Sequence, residues 1–176
     1  MTVLGRLFSL VTLLVVVTAA ALVIWLEPVE PVPEGGLPRI SRIVIEKSAR
    51  RMVVYDGAVA LRSYPIALGF SPTGDKLHEG DGRTPEGVFR IDRKNAGSAF
   101  TLSLGLDYPQ AEDRARARAG GYDPGGDIMI HGQPNAVPDE IQLKGDWTAG
   151  CIALSNAAIR EVFAAAEIGT EVEVRP

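Results

Sequence analysis

The chain has 176 residues, a formal net charge of −4, 46% hydrophobic residues and 23% charged residues. That size suits one ordinary domain with an appendage. The acidic balance argues against a nucleic-acid partner, because duplex binding needs a clustered basic face.

The chain opens with MTVLGR, and then twenty residues, Leu7 to Leu26, carry no charge. An apolar helix of about that length crosses a bilayer core of roughly 30 Å. Arg6 lies before the run, and Glu27 and Glu30 lie after it. The positive-inside tendency then keeps the N-terminus in the cytoplasm and exports the rest. A cleaved signal peptide is the competing reading, with Ala19, Ala20 and Ala21 as small residues. Residues 27–38 are rich in proline and glycine and read as a spacer between this segment, 1–26, and a domain at 39–176.

The domain is expected to be mainly β. Ile40–Glu46 and Arg51–Tyr55 read as strands, and Asp56-Gly57 is a hairpin signal. Ala58–Leu68 reads as a returning strand, with Pro65 at a bend or edge. A glycine- and proline-rich loop follows at Gly69–Gly87. Val88–Asp92, Thr101–Leu106 and Asp127–Ile130 read as strands, and Thr170–Val174 as a terminal one. Ala111–Ala119 reads as a helix stopped by Gly120-Gly121. Its Arg114, Arg116 and Arg118 form a solvated face. Asn156–Ala166 reads as a second helix, capped by Ser155 or Asn156, with Ile159, Val162 and Phe163 facing inward.

Cys151 is the single cysteine. A lone thiol in an exported chain cannot form an intramolecular disulfide, so it is intermolecular, reactive, or a small buried hydrophobe. Two histidines are available as bases, His78 in the loop and His131 at a strand end before Gly132. A histidine that takes the thiol proton, or holds the thiolate as an ion pair, makes a cysteine a nucleophile. The Gly150 and Cys151 N–H groups could form an oxyanion hole. A reactive Cys151 of low pKa is expected to alkylate well below pH 8. His78, Glu79, Asp81 and Asp127 lack metal-ligand spacing, so no metal is expected.

IHG at Ile130–Gly132, TAGCIALSN at Thr148–Asn156 and GRTPEGVFRI at Gly82–Ile91 together resemble the L,D-transpeptidase catalytic (YkuD-type) domain. They point to a branch with an Asp-Trp-Thr-x-Gly-Cys-Ile-Ala motif, read here from Asp146 to Ala153. The resemblance spans roughly 39–175. It implies a β-sandwich-like fold with one or two short helices beside the N-terminal transmembrane helix. It also implies Cys151 as nucleophile, His131 as base, the Gly132 carbonyl as the group orienting the imidazole, and no cofactor. Peptidoglycan stem peptides are the implied substrate. The thiolate attacks the third residue, expels a terminal D-alanine, and passes the acyl group to an amine. Many relatives carry a histidine and an arginine where this chain has Ala149 and Ala153. Asp146, Trp147, Thr148 and Arg83 are candidate substrate contacts.

Three functions stay open: a transpeptidase, a hydrolase of the same fold acting on a stem peptide or a wall-linked lipoprotein, and a wall-binding module without catalysis. The expected location is the bacterial cell envelope, anchored to the inner membrane with the domain in the periplasm, or exported after cleavage.

Overall fold

The computed structural model describes residues 36–176. The expected anchor at 1–26 and most of the spacer at 27–38 lie outside the described residues. Among the described residues, no helix is long and apolar enough to cross a membrane.

Eight strands and two helices form the domain. The strands are β1 (Ile40–Glu46), β2 (Arg51–Asp56), β3 (Val59–Pro65), β4 (Gly87–Asn95), β5 (Ser103–Leu106), β6 (Met129–His131), β7 (Ile152–Ala153) and β8 (Ala166–Arg175). The helices are α1 (Ala111–Gly120) and α2 (Asn156–Ala165). The sheet order is β3-β2-β1-β8-β4-β5-β6-β7.

β4 joins the two halves of this sheet. Its first residues, Gly87–Arg90, pair with β8, and from Ile91 onward it pairs with β5 across a register irregularity between Ile91 and Arg93. A bulge of this kind bends and twists a strand, so one strand serves both halves. The far edges also meet. Beyond Pro65 the chain leaves β3, and Ala67 exchanges hydrogen bonds of 2.9 and 2.8 Å with Ala153 of β7. Ile43, Ile45, Met52, Phe89, Leu104, Ile130 and Ile152 from both halves fall in one buried cluster, as do Ile159 and Val162 of α2. The expected sandwich-like character rests on this folding of one sheet, with mainly β content and two helices.

Several elements differ from expectation. The long strand at 58–68 stops at Pro65, which has no N–H to continue the ladder. β4 runs on to Asn95. The strand expected at 127–130 is shifted to 129–131, because Asp127 adopts φ 52°, outside the extended region. β8 begins directly after α2, four residues before its expected start, where Ala166 pairs with Ile40. β7 was expected as no strand at all; its two residues hold their register only through β6 and Ala67.

The helices follow their sequence signals. α1 ends on Gly121 at φ 71°, the left-handed turn that glycine adopts freely. It buries Ala117 alone, and its arginines are exposed, as a solvated face requires. Ser155 caps α2, its side chain accepting from the Ala158 N–H at 3.2 Å. Asn156 is therefore not the cap.

The glycine-rich loop at 69–87 is pinned rather than loose. Lys47 is 2% exposed, and its ammonium donates to Gly74 O at 2.6 Å, Thr84 O at 3.0 Å and Glu86 Oε1 at 2.8 Å. All three lysine donors have acceptors, which makes the burial of this charge tolerable. Within the loop, Asp81 accepts from Lys76 and from the N–H groups of Leu77, His78 and Arg83. Burial pushes the Asp81 carboxyl up, but these four donors outweigh it and hold the group well below the usual carboxylate range.

Candidate active site

β6 and β7 run parallel, with Ile130 opposite Ile152 and His131 opposite Ala153. Side chains alternate along each strand. Cys151, one residue before β7, therefore shares a face with Ala153, and so with His131. The thiol and the imidazole are diagonal neighbours on that face.

The His131 ring is 4% exposed. Its Nδ1 lies 2.6 Å from Gly132 O. A carbonyl only accepts, so Nδ1 carries the proton and the neutral ring keeps Nε2 free as a base. Phe100 lies against the ring with centroids 4.6 Å apart, and Trp147 meets it edge-on at 5.7 Å. Gly132 admits no side chain: a Cβ there would sit 2.8 Å from both Asn156 Oδ1 and Ile159 Cγ2.

The segment Asp146–Cys151 is held by its own side chains. Asp146 receives Nε and Nη2 of Arg50 at 3.0 and 2.7 Å, and also the Leu68 N–H at 2.9 Å. Thr148 is 5% exposed; its hydroxyl donates to Cys151 O at 2.7 Å and accepts from the Gly150 N–H at 3.1 Å. Its main chain pairs with Leu68 and Phe70. Gly150 sits at φ 138°, and a Cβ there would come 2.7 Å from Arg83 O.

Four of the expected site residues have partners within the protein. Asp146 and Thr148 brace the cysteine segment, because their polar atoms are already engaged by protein groups. The Arg83 guanidinium donates to Asp75 O at 3.2 Å and does not line the cleft beside Cys151. The Gly150 N–H is taken by Thr148, whereas the Cys151 N–H has no acceptor among the described residues. Trp147 stays beside the histidine, and its buried Nε1 has no hydrogen-bond partner.

The thiol opens on a cleft of about 360 Å³, lined by Lys76, Glu79, Asp127, Ile128 and Ala149 together with Cys151 and glycines. Sγ donates to Asp127 O at 3.4 Å. Ala149 is exposed, and Ala153 is buried within β7. Among the described residues, no group of three or more His, Cys, Asp or Glu side chains is placed to hold a metal ion.

Sequence reasoning passed over Asn156 as anything but a cap. Its Oδ1 accepts from the Gln133 N–H and from the Thr101 hydroxyl, both at 2.8 Å, and its Nδ2 donates to Asp139 at 2.6 Å. It ties the residues after His131 to α2. Its place at the end of the TAGCIALSN segment was the available signal. Phe100 and Lys76 carried no such signal.

The resting pair is neutral. Burial, helped by the Asp127 carboxylate, pushes the Cys151 thiol above the ordinary cysteine range, against a main-chain hydrogen bond from Met129 and the charges of Lys76 and Arg93. Burial also pushes His131 below its ordinary value, against the Gly132 bond. Both shifts favour thiol and imidazole over thiolate and imidazolium, which reverses the expected low-pKa cysteine. Iodoacetamide is accordingly expected to label Cys151 slowly at pH 7 and progressively faster above pH 9. Fast labelling below pH 8 would show a preformed ion pair instead.

A family model described as the L,D-transpeptidase catalytic domain, YkuD, matches residues 40–174. YafK of Escherichia coli (strain K12), grouped by name with the L,D-transpeptidases, is 30% identical over 105 residues, covering 58% of this chain and 36% of YafK. The chain thus spans about a third of the length of the curated relatives it matches. Among solved structures, the helical cell shape determining protein Pgp2 from Campylobacter jejuni superposes with a TM-score of 0.59 at 26% identity, over 80% of this chain and 49% of Pgp2. An L,D-transpeptidase from Xylanimonas cellulosilytica does so with a TM-score of 0.52 at 18% identity, over 83% of this chain and 64% of that one, a likeness of fold alone.

Proposed function

Because the chain belongs to the L,D-transpeptidase catalytic domain (YkuD) family, we propose that it is a cysteine-dependent acyltransferase acting on peptidoglycan stem peptides. The observation that carries this reading is the His131 tautomer. Its Nδ1 proton is held by Gly132 O, so Nε2 is a base on the same face as the only thiol in the chain.

In this reading His131 Nε2 takes the Cys151 proton as sulfur attacks the carbonyl of the third stem residue. The thiol proton rests on Asp127 O beforehand, so the step begins with a turn of the Cys151 side chain. The Cys151 N–H faces the developing oxyanion. The C–N bond to the terminal D-amino acid then breaks, and the imidazolium returns its proton to the departing amine. A thioester remains on Cys151. An amine from a second stem attacks it, His131 takes the amine proton, and the thiol is regenerated. Water in place of the amine makes the same enzyme a carboxypeptidase. The likeness to Pgp2, named for helical cell shape, supports a role in remodelling the wall. The uncharged run at 7–26 would tether the domain to the membrane on the wall side.

The test is mass spectrometry of disaccharide-tetrapeptide incubated with the full-length chain. Dimers joined between two third residues are the expected product. Tripeptide alone would make the protein a hydrolase on this donor. Unchanged tetrapeptide would overturn the reading for this substrate.

A further inference from the structure

Lysine carries three N–H donors and no acceptor. Lys76 is 3% exposed, and its ammonium donates to Asp81 Oδ1 at 2.8 Å and to His78 O at 3.1 Å. Among the described residues, no acceptor takes its third proton. Lys76 lines the same cleft as Cys151, and among the described residues of that lining it alone is cationic.

The surroundings keep this buried ammonium in place. Asp81 is held by three main-chain N–H groups besides Lys76, so the pair cannot drift apart without dismantling the 76–83 turn. Gly125 sits at φ 75°, where a Cβ would come 3.5 Å from Lys76 Cε and 3.2 Å from Glu79 Cα. A side chain there would lie across the lysine stem. Glycine at this position leaves the lysine stem its room.

The cleft also presents Glu79 and Asp127. Glu79 is exposed, and the Asp127 carboxylate is 87% exposed and paired with Arg93 at 2.8 Å. Water screens those charges strongly, whereas a buried ammonium acts through a lower dielectric. At the thiol the Asp127 carboxylate still outweighs Lys76, whose charge is shared with Asp81, so Lys76 acts on a ligand by contact through its third N–H rather than through a field over the cleft.

We propose that the third N–H of Lys76 binds a carboxylate of the donor stem peptide and so selects donors by that charge. This rests on the acyltransferase reading above. Two carboxylates share the chemistry, the terminal one on the leaving residue and the one on the side chain of the diamino acid. A charge-assisted hydrogen bond placed beside the nucleophile would align the scissile carbonyl with sulfur.

The experiment compares three synthetic tetrapeptides with the full-length chain. One carries both carboxylates, one is amidated at its C-terminus, and one is amidated on the diamino-acid side chain. Wild type, Lys76→Gln and Lys76→Gln with Asp81→Asn are assayed for kcat/KM by product mass spectrometry. The double variant removes both buried charges, so no carboxylate is left unpaired at position 81, and a thermal melt of each variant checks that it is folded. Wild type is expected to lose roughly 10- to 100-fold on one of the two amides, and that amide identifies the carboxylate. Both variants are expected to lose a similar factor on the unmodified peptide and almost nothing further on that amide. Equal turnover of all three peptides by wild type would overturn the inference and leave the function intact. So would equal losses in the variants on every peptide. No turnover of any peptide by wild type would overturn the function reading and this inference with it.

Discussion

Cys151→Ala is expected to abolish acyl transfer, with kcat/KM falling about 10⁴-fold or more, the usual scale for losing a covalent nucleophile. The variant should fold, because alanine removes one sulfur atom that makes a weak bond to Asp127 O and opens on a cleft. His131→Ala is the informative companion. It removes the base but leaves the sulfur, so its loss should be smaller, about 10²- to 10⁴-fold at neutral pH. It should also recover as pH rises, because hydroxide then forms the thiolate that the imidazole no longer generates. In wild type, the acidic limb of the activity profile should lie below pH 6.5, because burial lowers the His131 pKa and the neutral ring is the active form. A pH series from 5 to 10 on the three proteins checks this. Product formation by Cys151→Ala at any pH would remove the thiol from the mechanism. A His131→Ala loss that does not change with pH would remove the histidine as its base.

Gly150→Ala is expected to cost about 3 kcal/mol or more of stability and to lower kcat at least 10²-fold. Two costs combine. At φ 138° an L-residue is strained, by about 1–3 kcal/mol. A Cβ would also sit 2.7 Å from Arg83 O and 3.3 Å from Ile128 Cδ1, and the first of these is backbone that cannot swing aside. The chain must shift to relieve the contact. Gly150 precedes the nucleophile and donates to Thr148, so the shift moves Cys151 itself. A displacement of about 1 Å at the reacting group is enough for a 10²-fold loss. Gly145→Ala separates the two costs. Its φ of 74° is also positive, but a Cβ there meets nothing within 4 Å. That variant should lose about 1 kcal/mol. Urea unfolding of both, read beside kcat, measures the difference. Equal stability losses would show that the contact with Arg83 relaxes freely.

The family of this protein and its candidate site were legible in short stretches. The His-Gly pair, the Thr-x-Gly-Cys segment and the Thr-Pro-x-Gly loop are contiguous motifs, and each retains its meaning before folding. The strands β1 and β2 and both helices were legible for the same reason. Alternation, a capping serine and a glycine stop act within a few residues of one another.

What folding alone decided lies in partners far apart in the chain. Asp146 reads as a pocket residue by its place beside Trp147, yet it is a brace, because Arg50 and Leu68 reach it from 96 and 78 positions away. Lys47 and Lys76 carry no sequence signal that sets them apart from surface lysines. Both are buried because the loop at 69–87 closes over them and supplies oxygens. β7 is two residues long and has no pattern of its own; it exists through Ala67 and β6. The motif by itself pointed to one sulfur and one imidazole, which the β6–β7 register places on the same face. Their charge states were set by tertiary structure, because a pKa follows from burial and from groups that only the folded chain brings near. Burial here makes the pair neutral at rest, which the sequence could not show.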